Sequence, residues 1–359
     1  MSMITHKPLS SGVQKAANPP VQRVCTPPPK TLRPPFVKYF GENDGTVMCM
    51  RKLIMILDFA RSRSAVFSLG EASLGALLAF AAIPSARVIL LGLLAAMAGY
   101  FCVYALNDLM DLKSDRREIE LKAAQPEEVV QEAQLDIIAV RHPIAAGALS
   151  LWAGVAVVAI LAIIGFTAAY LLNPLCAWLF VVCALLEVLY CSLRHHTWLK
   201  IIPAGVMVSV GGLAGWYAVG SKNVHNHAIS VWGALAFFIL LLVWEIAGRN
   251  LSNDLADVEH DRLVGIKTLS ATHGTASAAK AIVAGSFLMP IIALLQPSDW
   301  PIRVILAVIA VATMTWPSVL MYTRGAERNA QRYFNRASLF PAISAGCLII
   351  YWGIAALVR

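Results

Sequence analysis

Two stretches of this chain carry the same acids at the same spacing. Asn107-Asp108-Leu-Met-Asp111-Leu-Lys-Ser-Asp115 and Asn253-Asp254-Leu-Ala-Asp257-Val-Glu-His-Asp261 both read N-D-x-x-D-x-x-x-D, offset by 146 residues (253 − 107). On a helix, positions i, i+3 and i+7 share one face. Asp108, Asp111 and Asp115 are therefore expected to form one carboxylate ladder, and Asp254, Asp257 and Asp261 a second. Like charges this close repel, and at a membrane border they are poorly solvated, so the pattern calls for a cation. Hard oxygen ligands favour Mg²⁺, which takes one or two carboxylates and completes its shell with water and substrate phosphate. Two facing ladders could hold a diphosphate through bridging Mg²⁺ ions. As mere helix caps these acids would be badly placed, because they close apolar runs where the helix dipole disfavours negative charge. An EF-hand is excluded, since the D-x-D-x-D-G spacing and the closing Glu are missing.

The elements that must position these acids are apolar. Of 359 residues, 58% are hydrophobic and 14% charged, against roughly 45–50% and 25% in soluble domains. The excess comes in runs of about 20 residues, enough for a helix to cross a ~30 Å hydrocarbon core. Nine candidate spans lie near 64–84, 88–109, 150–171, 174–192, 200–220, 229–250, 276–295, 302–322 and 338–357. The expected fold is all-α, a polytopic membrane bundle of about nine transmembrane helices. Basic residues concentrate in alternate connections. The second–third loop holds Lys113, Arg116, Arg117, Lys122 and Arg141, the sixth–seventh Arg262 and Lys267, and the eighth–ninth Arg324, Arg328, Arg332 and Arg336. Four spans separate the two motifs, so both fall on the basic face, which the positive-inside rule assigns to the cytosol or, with a transit peptide, the matrix. The net charge of +8 has this origin and gives no reason to expect nucleic acid.

Residues 1–50 stand apart from the 51–359 membrane domain. Eight of the eighteen prolines fall before position 36 and no acid appears until Glu42, a composition that predicts a disordered basic tail. The tail lacks an apolar h-region and is no secretory signal; it fits a mitochondrial transit peptide only in part. The seven cysteines show no metal spacing and are read as small buried hydrophobes.

With these motifs in place the sequence resembles the UbiA-type intramembrane prenyltransferases over roughly residues 55–357. That family has nine spans with Asp motifs after the second and sixth, N-D-x-x-D-x-x-x-D in the first loop and D-x-x-x-D in the second, here Asp257 and Asp261. Three further pieces match with changes. The family's R-P-[IL]-x-x-G appears as Arg141-His142-Pro143-Ile144-Ala145-Ala146-Gly147, with a His inserted and after an unusual polar stretch, residues 116–140. Its Y-x-x-x-K appears as Tyr190 to Arg194, and its G-x-[KR]-[ST] as Gly265-Ile266-Lys267-Thr268. The resemblance implies a prenyl diphosphate substrate, a small hydrophobic acceptor of aromatic type, the lipid membrane as setting and Mg²⁺ as cofactor. It points to Asp108, Asp111, Asp257 and Asp261 as catalytic, Asp115 and Asp254 as further metal ligands, and Asn107, Arg141, Tyr190, Arg194, Asn253 and Lys267 as substrate-binding.

Arg clasps phosphate oxygens bidentately and Lys acts as a point charge, so Arg141, Arg194, Lys200, Arg262 and Lys267, all on the motif side, are candidate partners of a diphosphate. His142, His195 and His196 lack ligand spacing with one another and are read as interfacial. Three acids lie inside apolar runs, Glu71, Glu187 and Glu245; such residues face a bundle interior or a cavity and offer anchors for an acceptor or a site for a proton. Trp216, Tyr217, Trp232, Phe237, Phe238 and Trp244 could wall a prenyl tunnel and stabilise a carbocation through their π faces, but most of them are read as packing residues. The expected mechanism is Mg²⁺-assisted ionisation of the allylic C–O bond, attack by an electron-rich ring and loss of a proton. Three alternatives stay open: a terpene cyclase of the same family acting on the diphosphate alone, a non-aromatic acceptor, and a transporter using the ladders as a cation site.

Overall fold

The computed structural model describes residues 45–123, 142–219 and 231–358, and among these every regular element is helical. The Pro-rich stretch 1–44, the insertion residues 124–140 and Arg141 lie outside the described residues. Four helices lead to the first motif and through it: α1 (Gly45–Phe59), α2 (Ser62–Phe80), α3 (Ala86–Met110) and α4 (Leu112–Ala123). Next come α5 (Leu151–Leu172), α6 (Pro174–Leu193) and α7 (Ile201–Ala218). The second motif is carried by α8 (Val231–Val243), a π-helical segment (Trp244–Asn250), α9 (Leu251–Ala256) and α10 (Val258–Val264), followed by α11 (Leu269–His273). The last part comprises α12 (Thr275–Leu294), α13 (Trp300–Ala310), a second π segment (Val311–Thr315), α14 (Trp316–Thr323), α15 (Ala326–Ala337) and α16 (Phe340–Val358).

Eight helical stretches are long and apolar enough to cross a membrane, and α2 adds a shorter apolar helix, Ser68–Phe80. Each of the nine expected spans coincides with one of them. Their ends are set by local chemistry. Ser150 Oγ accepts from Ala153 N at the start of α5. Asn173 Oδ1 accepts from Leu175 N at the start of α6, where Pro174 occupies the first turn, a position that needs no amide donor. Leu, Ile and Trp side chains such as Trp152, Leu185, Trp232 and Ile350 are exposed on the outer surface, an arrangement stable in lipid and costly in water.

Inside the bundle small residues bring backbones together. A Cβ on Gly215 of α7 would lie 2.0 Å from the carbonyl oxygen of Ala72 on α2, and one on Gly75 of α2 would lie 2.4 Å from the carbonyl oxygen of Gly212. In a membrane, where helices gain little from hydrophobic exclusion of one another, close contact of this kind drives association. Beside this contact lies a cavity of ≈ 610 Å³ lined by α2, α3, α6, α7 and the π segment. Along α3 the lining runs from Asn107 to Val88, about 28 Å at ~1.5 Å per residue. The cavity therefore reaches from the motif end nearly to the opposite border. Trp216 and Phe237 stack on each other in the core, centroids 5.5 Å apart, and line no part of it.

Gly215→Val should wedge α2 from α7 at a cost of about 1–3 kcal/mol, as overpacking does. Thermal melting of the detergent-solubilised variant checks this; an unchanged melting temperature would contradict the contact.

Candidate functional site

The first motif straddles a break between helices. α3 ends at Met110, Asp111 adopts φ −87°, ψ 2°, and α4 begins at Leu112. The amide of Asp111 donates to the Asn107 carbonyl (2.9 Å) and that of Asp115 to the Asp111 carbonyl (3.0 Å). The second motif repeats this: Asp257 (φ −98°, ψ 13°) separates α9 from α10, with Asp257 N to Asn253 O at 3.0 Å and Asp261 N to Asp257 O at 2.8 Å. The expectation of a single ladder on one unbroken helix is corrected accordingly. Asp108 and Asp115 converge, while Asp111 turns toward another partner. The backbone hydrogen bonds continue on both sides of the break, and the Asp111 carboxylate is drawn to Arg194.

Cations from elsewhere in the chain meet these acids. Arg61, in the turn between α1 and α2, donates to Asp108 Oδ1 at 3.0 Å. His142 Nδ1 lies 3.5 Å from Asp108 Oδ1 and 2.9 Å from Asp115 Oδ2. Burial by itself would lower the pKa of this imidazole, but hydrogen bonds to Asp108 and Asp115 outweigh it and raise the value. Ile144 packs with Phe59 and Ala105 and so anchors the loop that delivers His142. His142 is thus buried against the acids and not interfacial, whereas His195 and His196 are exposed. Asp111 accepts from Arg194 Nη1.

The second motif meets cations from the α6–α7 connection. Lys200 Nζ lies 3.0 Å from Asp254 Oδ1, and Arg194 is within electrostatic reach of Asp261 and Asp254. Asp254 Oδ2 and Asp261 Oδ2 are buried with no hydrogen-bond partner. Burial lifts Asp261 to about 7, with Asp254 and Asp257 adding to the rise and Lys200 and Arg194 opposing it. α10 touches α4, and the amide of Lys267 donates to the carbonyl of Arg194 at 2.9 Å, so the two motifs face each other across Arg194.

The remaining expected residues divide. Asn107 donates to Glu187 Oε1 at 2.9 Å and Asn253 to Asp257 Oδ2 at 3.4 Å; both line the cavity. Tyr190 also lines it, its ring 5.3 Å from Lys200 Nζ. Lys267 and Arg262 are exposed, and the Gly265-Ile266-Lys267-Thr268 segment acts as a turn. Gly265 (φ 82°) closes α10, and Thr268 caps α11 through Ala271 N. Of the intramembrane acids, Glu187 and Glu245 line the cavity, and Glu71 is wholly buried behind it. Glu71 accepts from the Tyr100 hydroxyl and meets Arg249 Nη1 at 3.5 Å, which also lies 3.3 Å from Glu245 Oε2. Arg61 and Arg249 carried no local sequence signal beyond being an Arg before the first span and an Arg inside an apolar one.

Chemically the donor set suits a hard divalent cation. Asp108, Asp115 and His142 offer ligand atoms within 4.8 Å of one another, and the orphaned oxygens of Asp254 and Asp261 leave lone pairs for a second site. The cavity beneath them is mostly apolar.

A family model described as the UbiA prenyltransferase family matches residues 68–340. Among solved structures, a UbiA homolog from Aeropyrum pernix K1 is 21% identical, with a TM-score of 0.61 over 80% of this chain and 97% of that one. A UbiA homolog from Archaeoglobus fulgidus, solved with GPP and Mg²⁺, is 16% identical, with a TM-score of 0.58 over 81% and 99%. A digeranylgeranylglyceryl phosphate synthase is 16% identical, with a TM-score of 0.56 over 83% and 98%. At these identities the structures show a shared fold. No curated protein matches the sequence.

Lys200 is buried and its partner Asp254 already has one orphaned oxygen. Lys200→Met should therefore cost roughly 3–5 kcal/mol, because it strands a buried charge. The double variant K200M/D254L should melt well above K200M; if the two melt alike, the pair does not carry this energy.

Proposed function

Because this chain belongs to the UbiA prenyltransferase family, we propose that it transfers the prenyl group of a prenyl diphosphate to an aromatic acceptor within the membrane, with Mg²⁺ as cofactor. The observation that carries this reading is the pair of buried, unpartnered carboxylate oxygens of Asp254 and Asp261 beside a mostly apolar cavity of ≈ 610 Å³. Asp108, Asp111, Asp115, Asp254, Asp257 and Asp261 would hold the metal. Bound there, Mg²⁺ supplies charge neutralisation on the diphosphate as the allylic C–O bond ionises. The A. fulgidus homolog solved with GPP and Mg²⁺ supports both ligands.

The chain's own residues do the rest. Arg194, which reaches Asp111, and Lys200, which reaches Asp254, would be placed to donate to the phosphate oxygens of a diphosphate held between the acids. Tyr190, Asn107 and Asn253 close the top of the cavity beneath them. Below, Leu69, Leu77, Val88 and Phe180 line a dry wall that receives the chain and keeps water from the allylic cation. The acceptor ring attacks C1 and its displaced proton passes to a carboxylate or to diphosphate. Loop charge supports placing the motif face toward the cytosol or matrix.

Turnover by purified protein should require Mg²⁺ and vanish in EDTA. Asp108→Ala, Asp111→Ala, Asp257→Ala and Asp261→Ala should each lower it by about 10²-fold or more, as loss of a charge-stabilising group does. Given geranyl, farnesyl or geranylgeranyl diphosphate alone, the protein should release prenyl alcohol slowly. Adding a hydroxylated aromatic should release diphosphate faster and give a product heavier by the prenyl group. Full activity in EDTA, or rapid formation of a cyclic terpene without acceptor, would overturn the reading.

A further inference from the structure

Arg249 precedes Asp254 by five residues within the helical stretch Val231–Ala256, which sets its level about 7 Å inward of the start of the second motif at ~1.5 Å per residue. A prenyl diphosphate anchored at the motifs places hydrocarbon at that depth. Yet the cavity wall there is polar: Tyr100, Tyr104, Glu245, Arg249 and Asn250 all line it. Arg249 Nη2 lies 3.4 Å from the Tyr104 hydroxyl, and Asn250 Nδ2 donates to Glu245 Oε1 at 2.8 Å. The guanidinium also lies over the rings of Trp244 (5.5 Å) and Phe334 (5.8 Å). Polar groups so deep in a membrane protein mark a polar ligand, and a prenyl chain offers none. A second substrate does.

The valences left open describe that substrate. With its five guanidinium N–H groups, Arg249 meets the acceptors Glu71, Glu245 and Tyr104, and the Tyr104 hydroxyl, reached by Arg249 as a donor, can still donate its own proton. Both are donors, so they fit a carbonyl or hydroxyl oxygen. Charge narrows the choice. One guanidinium stands against two carboxyls, Glu71 at 3.5 Å and Glu245 at 3.3 Å. With either carboxyl ionised, Arg249 has no positive charge to spare. An incoming carboxylate would be buried without compensation, at high cost; a neutral oxygen would not.

We propose that Arg249, Tyr104, Asn250 and Glu245 form the acceptor subsite, and that it selects a neutral hydroxylated aromatic bearing a carbonyl or second hydroxyl over a carboxylate analogue. The inference rests on the transferase reading above.

The test compares a hydroxylated benzoic acid with its primary amide, nearly isosteric and differing in charge, at a pH where the acid is ionised. With Mg²⁺ and each prenyl diphosphate, wild-type kcat/KM for the amide should exceed that for the acid by about tenfold or more, as expected where a buried site rejects an unpaired group. The double variant E71Q/E245Q frees the Arg249 charge and should move the amide-to-acid ratio toward the acid by about tenfold, a change that a merely structural network would not give. Preference of the wild type for the acid, or an unmoved ratio in the folded double variant, overturns the inference and leaves the transferase standing. If the double variant fails to fold, the wild-type ratio decides alone. Should neither aromatic be prenylated while a cyclic hydrocarbon forms, both readings fall together.

Discussion

Six aspartates gathered at one border of a lipid-embedded bundle repel one another where little water is present to screen them. The rest of the site is arranged around relieving that repulsion. Arg61 comes from the α1–α2 turn, His142 from the loop after the insertion, and Arg194 and Lys200 from the α6–α7 connection. That connection serves both motifs, Arg194 reaching Asp111 and Lys200 reaching Asp254. A short link between two helices thus ties together acids far apart in the chain. Oxygens stay open at both motifs: Asp254 Oδ2 and Asp261 Oδ2 are buried without a hydrogen-bond partner, and Asp115 Oδ2 has only the His142 contact.

The apolar bundle supplies what the charges cannot. Close approach of α2 and α7 at Gly215 and Gly75 fixes one wall of the cavity, and α3 and α6 bring aliphatic and aromatic side chains to the others. Because the medium around these helices is lipid, their outer faces need no polar cover, and the polar residues can be spent inward. Glu71, Tyr100, Tyr104, Glu245 and Arg249 are such residues. Within the low-dielectric interior each hydrogen bond among them is stronger than it would be in water, and each one left unmade is more costly.

How much of this could be read from sequence follows from the range of each interaction. Spans and motifs depend on neighbours a few residues apart, so run length and N-D-x-x-D-x-x-x-D spacing located the eight membrane-length stretches and the shorter apolar helix among the described residues, and both acidic patches. Glu187 and Glu245 were legible as cavity residues because an acid in an apolar run has few other places to go. The partners were not legible. Arg61 meets Asp108 across 47 residues and Arg249 meets Glu71 across 178, separations no local pattern encodes. His142 looked interfacial for the same reason: its acids are distant in sequence and only the docking of Ile144 brings it to them. The breaks at Asp111 and Asp257 escaped a helical-wheel argument because that argument assumes an unbroken rod.

The π-helical segment Trp244–Asn250 has a consequence for how such a site could arise or be lost. A π turn holds one residue more than the α turn it replaces, and that extra residue rotates everything after it by about 100° about the helix axis. Asp254, Asp257 and Asp261 lie downstream, so the direction they face depends on the residue count of a stretch that binds no metal itself. Deleting a single codon there would leave every acid in the sequence and the hydropathy profile almost intact. It would nonetheless swing the whole second motif by more than a quarter turn, away from the first. Descent by substitution alone cannot readily cross that gap; an in-frame insertion or deletion can do so in one event, and lineages that differ by one residue at this point would be expected to differ in whether the two halves still work together.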